Sequence, residues 1–234
     1  MKYTYLWVNF GTIIIPFLFS FHPRLQFHKQ WKFYLPAMML AGLIFIVWDV
    51  LFTQMGVWGF DDDYITGLHL LNLPIEEVLF FVCIPYACVF TYHCLSLFFK
   101  LKWPSHTEKR VVITLAIALL VTGLLAMPRA YTSTTFISLG VLILFAWFVI
   151  KINWFSKLTS VYAVLIIPFF IVNGILTGTG LEEPVVWYNN AENLAIRLGT
   201  IPVEDIFYGF ELIFLNVLFY ESFKQKFSKE LPTA

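Results

Sequence analysis

Seven stretches of the chain, at about 3–21, 35–54, 76–99, 111–127, 132–150, 159–177 and 204–223, are each long and apolar enough to cross a bilayer core, which takes roughly 17–25 mainly apolar residues per helix. No other feature limits the fold as strongly, because backbone in hydrocarbon must satisfy its hydrogen bonds internally. The expected fold class is all-α: a polytopic membrane helical bundle of about seven transmembrane helices. Composition supports this, with 59% hydrophobic and 13% charged residues and a mean hydropathy of +0.78, too apolar for a water-soluble domain. Pro16, Pro85 and Pro168 fall inside spans, where membrane helices tolerate them. No small-residue cleavage site closes the first apolar run, so it is expected to be a retained span and not a signal peptide.

The basic residues predict sidedness. Twelve of the fifteen lie in the first, third and fifth connections and the C-terminal tail, against Lys2, Arg129 and Arg197 on the other side. The split predicts a multi-pass protein of the cell membrane with its N-terminus outside and its C-terminus cytoplasmic. Net charge is zero and no basic block interleaves with aromatics, so no nucleic-acid partner is expected. Cys83, Cys88 and Cys94 share one apolar segment without a Cys-x-x-Cys or a nearby His pair. They are expected to pack, with no disulfide framework and no metal.

Two adjacent acids, Glu76 and Glu77, open the third span in "LNLPIEEVLFF", and the figure returns in "GTIPVEDIFYGF" as Glu204 and Asp205. The prolines, Pro74 and Pro202, are 128 residues apart. Four spans separate the copies, so both point the same way through the membrane, as a parallel repeat. Upstream, "IVWD" ending at Asp49 is echoed by "FIVN" ending at Asn173, and the loop "VWGFDDDY" by "VVWYNN". The chain is therefore expected to divide into a first repeat of three spans at 1–110, a linking span at 111–131 and a second repeat of three spans at 132–234. Parallel repeats put equivalent residues across a shared cavity, where Glu76 and Glu77 are expected to face Glu204 and Asp205.

Proline at the first helical position followed by an acid is also an ordinary helix start. With Leu73 and Ile201 as caps, Glu76 and Glu204 take the third helical position, where acids are common. Capping does not account for Glu77 and Asp205, about 100° further round the helix. Acids at membrane depth are costly, which makes them functional candidates. Burial in hydrocarbon favours the protonated form of one acid beside an ionised neighbour, giving a proton donor and a proton acceptor in one site. Which acid takes which role is open.

Other residues join the candidate set. Asp49 is either an interfacial acid or part of the cavity. Glu211, seven residues beyond Glu204, shares nearly its helix face. Trp58, Tyr64, Trp187 and Tyr188 suit an aromatic belt, and equally suit π faces around a cation. Phe80 and Tyr208, on the spans that the acids open, complete the expected substrate-binding residues. His93 reads as a packed or interfacial histidine.

Several chemistries are disfavoured. "DDDY", Asp61 to Tyr64, lacks the Asp-Asp-x-x-Asp spacing and a second acidic motif for a metal-held diphosphate. No Gly-x-Gly-x-x-Gly occurs in a βαβ setting. A retinal Schiff base needs an interior lysine on the seventh span, and residues 204–223 have none. A proton- or cation-coupled transporter using the same carboxylates remains the alternative, although these acids lie nearer an interface than the midplane.

"PIEEVLFF" and "PVEDIFYGF", each opening a span in a duplicated small membrane protein, resemble the paired Pro-x-Glu-(Glu/Asp) motifs of the flavin-independent lycopene cyclases. The chain resembles the fused form of the family over nearly its whole length, departing at Asn173 and in a longer second loop. The resemblance implies a lycopene β-cyclase that takes lycopene or a related acyclic carotenoid from membrane lipid. A terminal double bond would be protonated, the cation attacked by the next double bond, and a ring proton lost to give a β-ionone ring. That isomerisation is redox-neutral, so no consumed cofactor is required. Carboxyl groups would donate and accept the proton, the pocket would be apolar apart from them, and association with other carotenoid enzymes is expected.

Overall fold

A computed structural model of the chain describes residues 2–230, so residues 231–234, the end of the expected second repeat, lie outside it. Seven helices follow one another: α1 (Thr4–Phe19), α2 (Trp31–Met55), α3 (Ile75–Phe98), α4 (Ser105–Leu125), α5 (Ala130–Leu144), α6 (Phe155–Leu176) and α7 (Val203–Glu230). Each answers to one expected span. Among the described residues, α2, α3, α5, α6 and α7 lie in stretches long and apolar enough to cross a membrane. The apolar helix α1 has 16 residues, and α4 carries Glu108, Lys109 and Arg110 near its start. Large apolar side chains such as Met39, Leu43, Leu125 and Ile167 remain exposed on outward faces. So much unpartnered apolar surface suits a membrane protein.

Short strands sit at the ends of the helices. Strands β1 (Trp58–Phe60) and β4 (Val186–Tyr188) pair antiparallel, joining the two halves of the chain with Gly59 opposite Trp187. A Cβ on Gly59 would lie 2.3 Å from the Trp187 ring, so the close approach needs glycine there. The hairpins β2 (His69–Leu70) with β3 (Leu73–Pro74), and β5 (Arg197–Leu198) with β6 (Ile201–Pro202), lead into α3 and α7. Both prolines thus belong to hairpins: Pro74 pairs with His69 and caps α3 in an extended conformation. This moves the helix start one residue later than expected, putting Glu77, and not Glu76, at the third helical position.

Local geometry recurs between the halves. The positive φ angles at Gly67 and Leu71 return at Ala195 and Gly199. Ile75 N–H donates to Leu68 O as Val203 N–H donates to Ile196 O. Packing also recurs, α1 lying on α3 and α5 on α7, while α4 packs on α5.

The middle helices break the pattern. Helix α2 lies closely along α7, with ring contacts Phe45–Tyr208, Trp48–Tyr208 and Tyr34–Tyr220. Helix α6 meets α3 and α1 only sparsely, leaving a cavity between them. The three cysteines are free, and His93 Nε2 is 2.7 Å from Leu25 O.

Candidate active site

The space beside α6 has a volume of about 950 Å³, and its walls come from α1, α3, α6 and α7. Three carboxyl groups line it: Asp49 on α2, Glu77 on α3 and Asp205 on α7. Each accepts a hydrogen bond from an aromatic side chain. Tyr5 Oη donates to Glu77 Oε2 at 2.5 Å, and Trp58 Nε1 donates to Asp49 Oδ1 at 2.5 Å. Asp205 takes two donors, Tyr131 Oη at 2.6 Å to Oδ1 and Tyr188 Oη at 3.0 Å to Oδ2.

The structure parts the two acids of each figure. A step of about 100° per residue turns neighbouring helical side chains to different faces. Glu77 and Asp205 face the cavity. Glu76 and Glu204 turn back to the loops and do not line it. Glu76 Oε1 accepts from Thr66 N–H at 2.7 Å, while Glu204 Oε1 accepts from Leu194 N–H at 2.7 Å and Thr132 Oγ1 at 2.6 Å. These equivalent bonds tie each preceding loop to its helix.

Of the expected substrate-binding residues, Asp49, Trp58, Phe80, Tyr188 and Tyr208 line the cavity. Tyr208 stands near Trp58 and Tyr131, both ring centroids 6.0 Å away, and its hydroxyl is buried without a partner. Tyr64, Trp187 and Glu211 lie elsewhere. Tyr64 is buried among Phe52, Val57 and Val185, Trp187 lies over Gly59 with 43% of its surface exposed, and Glu211 accepts from Ser138 on α5.

Tyr188 lies outside the spans. Burial first and the Asp205 carboxylate second raise its phenol well above the ordinary value, so it stays protonated and keeps donating. The sequence reading missed Tyr5 and Tyr131. They hold equivalent acids but are 126 residues apart, against 128 between those acids, so a fixed offset does not pair them.

No cluster of His, Cys, Asp and Glu suited to a metal occurs among the described residues. The arrangement offers three carboxyls at one end of an apolar chamber, surrounded by aromatic rings. Such a set can exchange protons with a hydrocarbon and stabilise a cation formed from it.

A family model described as lycopene cyclase matches residues 2–95 and 128–223, most of the chain. The chain belongs to the lycopene cyclase family. The two matched segments contain α1 to α3, apart from the last residues of α3, and α5 to α7 up to residue 223, with α4 between them. A curated relative, the bifunctional lycopene cyclase/phytoene synthase of Aspergillus niger, is 29% identical over 137 residues, covering 52% of this chain and 24% of that protein. The matched region is thus about a quarter of the relative's length. No solved structure matches the chain.

Proposed function

We propose that the protein is a lycopene β-cyclase, acting by acid and base catalysis without a consumed cofactor. The observation that carries this reading is the meeting of Asp49, Glu77 and Asp205 in one apolar cavity, each with an aromatic donor. Family membership supports it.

Hydrogen-bond supply distinguishes the acids. Both oxygens of Asp205 have phenol donors, the environment of a carboxylate anion. Asp49 Oδ2 is buried without a partner, a costly state for an anion, so the mobile proton belongs on the Asp49–Glu77 side. In this reading Glu77 gives its O–H proton to the terminal double bond, and Asp49, on the same side of the cavity, is the second carboxyl able to hold a proton. The next double bond attacks the tertiary cation, forming the ring bond and moving the positive charge to a ring carbon. Asp205 takes the adjacent ring proton, whose C–H electrons become the new ring double bond. One proton enters and one leaves, so the product is an isomer of the substrate.

Tyr208, Trp58 and Phe80 present π faces to the cation in this scheme. Glu76 and Glu204 act by position, holding the loops that carry the cavity's outer wall. The recurring hydrogen bonds support a duplicated unit, 1–110 and 132–234, joined by a linking span at 111–131. The basic-residue split supports a cell-membrane location with the N-terminus outside. The fusion named in the Aspergillus niger relative supports association with a phytoene synthase.

Expression in cells that accumulate lycopene tests the reading. The expected product carries β rings, identified by chromatography and NMR, and the pigment turns from red to orange or yellow. Unchanged lycopene with well-folded protein in the membrane would overturn it.

A further inference from the structure

The cavity extends far beyond its carboxyl groups. Along α3 it is lined by Glu77, Phe80, Ile84, Ala87, Cys88 and Thr91, one face of the helix over fourteen residue-to-residue steps, or about 21 Å at ~1.5 Å per residue. The opposite wall on α6 runs equally far, from Tyr162 through Leu165, Pro168 and Val172 to Leu176. A hydrocarbon core is about 30 Å thick, so the space is a slot crossing most of the membrane parallel to the helices.

All three carboxyls stand at one end. At the other end Thr91 Oγ1 is committed to Ala87 O at 2.8 Å, while the Tyr162 hydroxyl reaches back toward the acids and is committed to Ile206 O at 2.6 Å, one residue past Asp205. The far half therefore offers its occupant apolar contact alone. The edge between α1 and α6 is bordered by exposed Ile15 and Ile171 and by Gly11, beside which a Cβ would meet nothing within 4 Å. Across the bundle, the α2–α7 ring contacts fill the corresponding space.

We propose that this slot is a depth gauge for a rod-shaped hydrocarbon: the substrate enters sideways between α1 and α6 and stands upright along α3, one end at the carboxyls and the conjugated chain running past Ala87 and Thr91. The inference rests on the cyclase reading and adds the substrate's direction, its portal and the residues that measure its length. Ala87 and Thr91 are specificity residues, because their small side chains leave the far half open. With all the acids at one end of one slot, each binding event presents one chain end to them. A second ring requires the molecule to leave and return reversed.

The test compares two substrates in proteoliposomes. One is lycopene. The other is an apo-lycopenoid that keeps one acyclic end but is short enough to stop above Ala87. Wild-type protein is expected to cyclise both. Ala87→Phe closes the slot below the short substrate, so lycopene cyclisation should fall at least tenfold while the apo-lycopenoid changes less than twofold, which also shows that the variant is folded. Gly11→Leu, which gains helix propensity and whose Cβ meets no atom within 4 Å, should slow uptake of both substrates without lowering thermal stability. If wild type cyclises neither substrate, the cyclase reading itself fails. If wild type cyclises both and Ala87→Phe leaves lycopene unaffected or reduces both equally, the upright slot is overturned. Full lycopene activity in Gly11→Leu would overturn the portal.

Discussion

The two halves of this protein share local geometry but not packing. On one side α2 closes onto α7, with Phe45 and Trp48 against Tyr208. On the other, α6 stands away from α3 and the cavity fills the gap. Duplication thus places Glu77 and Asp205 at equivalent positions, while loss of symmetry in the middle helices brings both to a single chamber. A second contrast runs within each Pro-x-Glu-acid figure. The first acid ties down a loop and the second faces the cavity.

The sharpest break of that contrast is to neutralise the acids one at a time. Glu77→Gln and Asp205→Asn should each reduce ring formation by about 100-fold or more, the range for a lost general acid or base. Glu76→Gln and Glu204→Gln should stay within about tenfold of wild type, because the amide oxygen can still accept the loop N–H. Product quantified at matched membrane protein content decides this, and equal loss at all four positions would erase the division. The double variant Glu77→Gln with Asp205→Asn should lose little more than either alone, since groups acting in one sequence are non-additive.

A smaller effect separates the phenols. Tyr131→Phe leaves Asp205 with Tyr188 alone, and a hydrogen bond to a charged group is worth about 1.5–3 kcal/mol, so activity should fall roughly tenfold or more. Tyr208→Phe removes a hydroxyl that has no partner and should leave the unfolding temperature in detergent unchanged or slightly higher. A marked loss of stability would reveal a bond to that hydroxyl.

The loop ties predict stability effects. Glu76→Leu and Glu204→Leu each strand a half-buried loop N–H, costing about 1–3 kcal/mol, with Glu204 the larger because it also holds Thr132. Thermal unfolding of the purified variants measures the difference.

The smallest effect lies in the hairpin turns. Leu71 and Gly199 both have positive φ, 60° and 66°, a conformation that costs a non-glycine residue about 1–2 kcal/mol. Leu71→Gly should therefore stabilise and Gly199→Leu destabilise, each by about that amount, if the two hairpins are true equivalents.

How far these features were legible in the sequence depends on the forces that set them. Helices in hydrocarbon are dictated by span length and backbone satisfaction, so the seven apolar runs gave the seven helices closely. The acids were visible because carboxyls are rare in such runs. Their division of labour was not visible, because the start of α3 depends on Pro74 pairing with His69 across a hairpin. That pairing shifts the helix phase by one residue and decides which acid looks inward. The stand-off of α6 was likewise hidden, since "FIVN" and "IVWD" read alike although one helix packs tightly and the other borders a cavity. Tyr5 and Tyr131 escaped because their spacing slips two residues from that of the acids they hold.

The β1–β4 ribbon joins the connection before α3 to the connection before α7, and the phenol bonds tie α1 to α3 and α5 to α7. Tyr5 is on α1 and Asp205 on α7, so until α7 is in place the cavity lacks Asp205 and one of its walls. Closure of the chamber therefore waits for α7, and until it docks, Glu77 and Tyr5 stand in the bilayer as half of a site.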